Sequence, residues 1–152
     1  FLVGRSYDLP RGEIDARIGI EESAFDGTGV TGSVEWTLAG PASALSFGLE
    51  HGITQDSRDT ETRRTNVTVG LEQLLSDRLT GTVDLAVRDS ETTQTGVGTL
   101  TASLTAGVSY ALTNDWSLAA EASHRIEDQD GADRADSTRV SLSISRAFAF
   151  RP

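Results

Sequence analysis

Residues 137–150 read Ser-Thr-Arg-Val-Ser-Leu-Ser-Ile-Ser-Arg-Ala-Phe-Ala-Phe, and their alternation decides the fold. Val140, Leu142, Ile144, Phe148 and Phe150 share one parity, while Arg139, Ser141, Ser143, Ser145, Ala147 and Ala149 share the other. A period of two marks a strand whose two faces meet unlike surroundings. Alternation alone leaves open which face meets water, because a soluble sheet buries its apolar row and a strand in lipid turns it outward.

Upstream, the same alternation recurs. Ile14, Ala16, Ile18 and Ile20 interleave with Glu13, Asp15, Arg17 and Glu21; Val34, Trp36 and Leu38 with Ser33, Glu35 and Thr37; Leu45, Phe47 and Leu49 with Ser46, Gly48 and Glu50. Leu79, Val83, Leu85 and Val87 oppose Thr80, Thr82, Asp84 and Arg88, and Leu100, Leu104, Val108 and Tyr110 oppose Thr101, Ser103, Thr105 and Ser109. The pattern predicts nine strands and no helix, over residues 1–8, 12–22, 30–39, 44–53, 65–74, 78–89, 99–112, 116–125 and 138–150. Each is close to the ten or so residues with which a tilted strand crosses a bilayer.

The predicted connections alternate in length. Tight turns fall at Leu9-Pro-Arg-Gly12, Ala39-Gly-Pro-Ala-Ser43, Leu75-Ser-Asp-Arg78 and Thr113-Asn-Asp115, with turn-forming residues in place. Long polar loops fall at 21–29, 55–66, 89–98 and 126–138. Short turns on one rim and long loops on the other is the pattern of an outer-membrane barrel.

Composition sets limits. The chain has 152 residues, of which 37% are hydrophobic, and no run approaches the roughly 18 apolar residues of a membrane-crossing helix. Cysteine is absent, which removes disulfide and thiolate chemistry. All 13 basic residues are arginine, yet the net charge is −10, so no basic stripe is available for nucleic acid. No cofactor is expected.

Aromatic placement supplies the direction. Tyr7, Trp36, Phe47, Tyr110, Trp116, Phe148 and Phe150 all lie on the apolar parity within a few residues of a tight turn or the chain end. That predicts an aromatic girdle at one membrane–water interface. The far rim offers only Phe1, Phe25, His51 and His124. Arg5 and Arg146 interrupt the outward row and are expected to snorkel toward the near headgroups.

The opposite row collects Glu13, Asp15, Arg17, Glu35, Glu50, Glu72, Asp84, Arg88, Glu121, Arg125 and Arg139 as lumen-facing candidates. Charged rings in a wet lumen set ion selectivity, and an acidic excess favours cations. The rival reading is a salt-bridged plug filling a narrow barrel. The acidic loop Asp128–Asp136 has the oxygen ligands of a calcium loop but neither the spacing nor the distal Glu, so a solvated loop is expected and no metal site. His51 and His124 lie on the outward parity, away from Ser123 and Glu121, so no catalytic residues and no enzyme are expected.

Two stretches carry a resemblance. Arg5-Ser-Tyr-Asp-Leu-Pro-Arg-Gly-Glu-Ile-Asp-Ala-Arg-Ile-Gly19 and Ala111-Leu-Thr-Asn-Asp-Trp-Ser-Leu-Ala-Ala-Glu-Ala-Ser-His-Arg125, the latter with the terminal Arg139-Val-Ser-Leu-Ser-Ile-Ser-Arg-Ala-Phe-Ala-Phe-Arg-Pro152, resemble hairpins of porin-like outer-membrane β-barrels of alphaproteobacteria. The ending on alternate apolar positions and a Phe likewise resembles the C-terminal strand of such barrels. The resemblance covers about a third of the chain. It implies the C-terminal part of a longer barrel, outer-membrane lipid as surroundings, and the barrel-assembly machinery as a partner of the last strand.

The sequence therefore predicts one all-β domain over residues 1–152, an antiparallel up-and-down transmembrane β-barrel of the bacterial outer membrane. The chain lacks Met and a signal sequence, and nine strands would put Phe1 on the long-loop rim, which points to a piece of something longer; oligomerisation is the other way to complete it. The rival is a complete eight-stranded barrel over 12–150 with residues 1–11 as a short first strand or leader. The expected function is a porin-like passive channel with a polar, acidic lumen. The alternatives are a closed barrel serving as anchor or adhesion platform through its acidic loops, and a soluble β-barrel or sandwich.

Overall fold

Period-two alternation gives each segment one face that avoids water and one that seeks it, and only an extended backbone keeps the two apart. In the computed structural model, which describes residues 1–23, 27–55 and 61–147, every predicted segment is a strand. The strands are β1 (Leu2–Leu9), β2 (Gly12–Ser23), β3 (Gly27–Ala39), β4 (Ser43–Gln55), β5 (Glu61–Ser76), β6 (Leu79–Thr92), β7 (Gly98–Ala111), β8 (Trp116–Gln129) and β9 (Ala135–Arg146). They form a single antiparallel sheet in chain order, β1 to β9, an up-and-down all-β architecture. Among the described residues β1 and β9 each pair with one neighbour, so the sheet is open. Residues 2–9, whose alternative was a leader, pair with β2 from Leu2↔Gly19 to Leu9↔Gly12.

Register makes the two faces continuous across the sheet. From Tyr7, the residues directly opposite in successive strands are Ile14, Trp36, Phe47, Val69, Leu85 and Leu104. The neighbouring row on the same face runs Leu9, Gly12, Leu38, Leu45, Leu71, Val83, Ala106, Ala122 and Val140. A slip of one residue would throw polar or small residues of the other face into these rows, carboxylates among them in β2, β3, β6 and β8, so the pattern itself selects the register.

No second layer covers the apolar face among the described residues. Among the described residues no hydrophobic side chain is buried; Val83 and Leu104, in the middle of the sheet, are 44% and 48% exposed, and Val140 on β9 is 77% exposed. The fold is held by backbone ladders and by cross-strand side-chain pairs, each worth about 0.2–1 kcal/mol, with no hydrophobic core beneath them.

Several strands run further toward the long loops than their apolar residues do, β6 among them, which reaches Thr92. β5 starts at Glu61, β8 reaches Gln129 and β9 starts at Ala135. Backbone pairing needs no apolar side chain, and opposed charges such as Arg63↔Glu91 support it. At the other rim, β5 bulges between Leu74 and Ser76, and the Leu75 side chain covers Gly81, where a Cβ would lie 3.3 Å from Leu75 Cδ1.

Relative to the row through Gly12 the tight turns slip across the sheet, by one residue at β3–β4, four at β5–β6 and five at β7–β8. The row through Gly12 arrives at Ala122, five residues beyond Ser117, which closes the β7–β8 turn with Ala111. That is about 16 Å of slip over about 29 Å of sheet, so strands lean about 30° from the normal to their turn rim. Strands of membrane barrels lean by roughly 35–45°.

Candidate functional site: the polar face

The register places all eleven predicted lumen-facing residues on one face. On β2 and β3 the carboxylates crowd: Glu13 lies opposite Asp8 on one side and Thr37 on the other, and Asp15 lies opposite Glu35. Like charges directly opposite destabilise a sheet. Asp15 is compensated locally, accepting the Ser6 hydroxyl at 2.6 Å and pairing with Arg17 Nε at 2.9 Å. Glu13, Asp15, Arg17, Glu35 and Thr37 together line an open concavity of about 180 Å³.

From β4 onward the charges are spaced apart. Glu50 sits between Ser33 and Asn66, Glu72 between Ala44 and Thr82, Asp84 between Gly70 and Thr105, and Arg88 between Asn66 and Thr101. Glu121 lies between Gly107 and Ser141, Arg125 between Ser103 and Ser137, and Arg139 opposite Ser123. Small and hydroxyl residues separate each charge from the next. The one further ion pair described on this face joins Arg125 Nη2 to Glu127 Oε2 at 2.8 Å. Within the sheet, none of these residues stands directly opposite a residue of opposite charge.

Arg64 belongs to this face and was hidden in sequence, because the apolar residues that announce β5 start only at Val67. It shares the parity of Asn66 and lines a cavity of about 250 Å³ near the long-loop rim, with Arg17, Ser33, Glu50 and Asn66. Its Nε is shielded from solvent and has no hydrogen-bond partner. The parity of the Arg-Arg-Thr-Asn run was the available signal.

On the apolar face, Tyr7, Trp36, Phe47, Tyr110 and Trp116 occupy the predicted parity near the tight turns. Phe25, Phe148 and Phe150 lie outside the described residues. The two arginines predicted to interrupt the outward row both stack on aromatic neighbours: the Arg5 guanidinium lies 4.7 Å from the Tyr7 ring centre, and that of Arg146 lies 5.3 Å from Trp116. Each is drawn toward the aromatic rim.

The acidic loop is organised by the backbone. Asp130 accepts the Gly98 N–H at 3.0 Å and donates its own N–H to the Gly98 carbonyl, which ties the β8–β9 connection to the start of β7. Gly131, at φ 78°, supplies the left-handed residue that turns the chain there. Among the described residues no group of three or more His, Asp or Glu is arranged to hold a metal ion.

Comparison with protein-family models, with curated proteins and with solved structures finds no match to this chain.

Proposed function

We propose that this sheet is wall of an outer-membrane β-barrel acting as a porin-like passive channel, with the apolar face against lipid and the polar face around water. One observation carries the reading: an apolar face runs across nine strands and, among the described residues, nothing packs on it. In water such a face far exceeds the few hundred Å² of apolar patch that soluble monomers leave uncovered. In hydrocarbon it costs nothing, and the backbone groups are already paired within the sheet, apart from its two edges. A soluble sandwich would need a second apolar layer on this face.

The polar face supports a wet interior. From β4 onward its carboxylates are separated by small and uncharged polar residues, and isolated carboxylates need water or mobile counter-ions. With the acids in excess, the conducted ions are preferentially cations. Outer-membrane lipid and, through the last strand, the barrel-assembly machinery are the partners of this reading. Completion of the barrel supplies partners for the free edges of β1 and β9, by further strands or by association.

Conductance across a planar bilayer tests it. The expected result is stepwise current whose reversal potential in a salt gradient favours cations. Folded, heat-modifiable protein that inserts without current would replace the channel with a closed anchor, which presents the acidic β8–β9 connection to partners outside the membrane. Protein that stays soluble and monomeric without detergent would remove the membrane reading altogether.

A further inference from the structure

The long-loop rim lacks the aromatic girdle of the tight-turn rim, yet two histidines stand on the apolar face and the register treats them alike. His51 is seven residues up β4 from Ala44, which closes the β3–β4 turn with Ala39; His124 is seven residues up β8 from Ser117, which closes the β7–β8 turn with Ala111. Measured from the tight-turn rim the two rings are therefore level. Each faces a threonine on the next strand, Thr65 and Thr138, and in each pair ring Nδ1 lies within hydrogen-bond distance of the threonine Oγ1, at 2.8 and 2.9 Å.

Both hairpins repeat the same local design. His-x-Ile on the first strand (His51, Ile53; His124, Ile126) meets Thr-x-Val on the second (Thr65, Val67; Thr138, Val140). Opposite each isoleucine stands a charged residue on the outward parity, Arg63 opposite Ile53 and Asp136 opposite Ile126. The apolar band thus ends just beyond each histidine. Seven residues span about 23 Å along a strand, or about 20 Å of height at a lean of about 30°. Against an apolar band about 25 Å tall, both rings stand near its long-loop boundary, where polar side-chain tips reach the headgroups.

We infer that the His51–Thr65 and His124–Thr138 pairs are matched headgroup anchors, each presenting an imidazole to the phosphate of a membrane lipid at the long-loop interface. The inference rests on the membrane reading above. The threonine hydroxyl occupies Nδ1 and leaves Nε2 as the ring nitrogen without a partner among the described residues. An unpartnered polar nitrogen is costly in hydrocarbon. At headgroup depth the Nε2–H tautomer donates to a phosphodiester oxygen while the threonine hydroxyl donates to Nδ1. Beside His51 the partner's chain has a place as well: Ile18, Val30, Gly32, Val34 and Leu49 line an apolar hollow of about 350 Å³ whose rim His51 shares.

Nuclear magnetic resonance of the folded protein in phosphatidylcholine nanodiscs, with lipids spin-labelled at carbon 5 or carbon 16, tests the inference. Both imidazole signals are expected to show cross-relaxation to the choline methyl protons and at least two-fold stronger broadening by the 5-label than the 16-label, to equal extents. The Leu49 and Ala120 methyls should show the reverse. In the Thr65→Val/Thr138→Val variant the headgroup cross-peaks should fall at least two-fold while the Leu49 and Ala120 profiles stay unchanged. Histidines at unequal depths, rings seen by the 16-label, or cross-peaks unmoved in the variant would each overturn the anchor pair. Leu49 and Ala120 methyls showing cross-relaxation to water and none to lipid would instead sink the membrane reading beneath it.

Discussion

The stretch from β2 to β6 and the stretch from β7 to β9 share one face and differ on the other. Outward, both carry the same aliphatic rows, as in Ile14, Val34, Leu49, Leu71 and Val83 of the first and Leu104, Val108, Leu118, Leu142 and Ile144 of the second. Inward, the first is dense in charge, with Glu13, Asp15, Glu35, Glu50, Asp84 and Arg88, whereas the second is mostly hydroxyl and methyl, with Ser103, Thr105, Ser109, Ala119, Ser141 and Ser143. A face answering to one solvent has one permitted chemistry. A face answering to water tolerates many, and can be tuned along its width without disturbing the sheet.

Reversing the outward chemistry should have the largest effect. Val83→Arg, in the middle of the outward band of β6, is expected to lower stability by about 2–4 kcal/mol in a bilayer, read as a drop in the urea midpoint of folding into vesicles. Thr82→Arg, one residue away and opposite Glu72, should change it by less than about 1 kcal/mol. Equal costs would mean the faces do not differ in solvent.

Next comes the sheet shared by both faces. A side chain at Gly12 would run into the Thr37 carbonyl across the β2–β3 rung, so Gly12→Val is expected to cost about 1–3 kcal/mol, visible as a lower temperature for loss of heat-modifiable migration. Selectivity separates the two inner walls. Glu13→Gln/Glu35→Gln, which spares the Asp15–Arg17 pair, should reduce the cation-to-anion permeability ratio about two- to five-fold, measured as a reversal potential. Ser141→Ala/Ser143→Ala should leave that potential where it was. The smallest effect belongs to the rim: Tyr7→Leu removes the ring beside Arg5 and should cost about 0.5–1 kcal/mol in the same urea titration.

Much of this was legible beforehand. Strand number, turn positions and the parity of every charged candidate follow from a period of two, a local property that needs no partner strand to be read. Strand ends were not legible, because pairing such as Arg63↔Glu91 and Arg64↔Ser90 continues where apolar residues stop. The Leu74/Ser76 bulge escaped for the same reason: its sense depends on Gly81 across the strand, which leaves room for Leu75.

The sequence by itself determined which residues share a face, since alternation along an extended chain admits only two sides. Only the tertiary structure decided which residues stand opposite one another. It brought Asp15 against Glu35, isolated Glu121 between Gly107 and Ser141, and levelled His51 with His124 across four strands. The physical reason is that facing is encoded in each strand separately, whereas opposition depends on turn length and register accumulated from strand to strand.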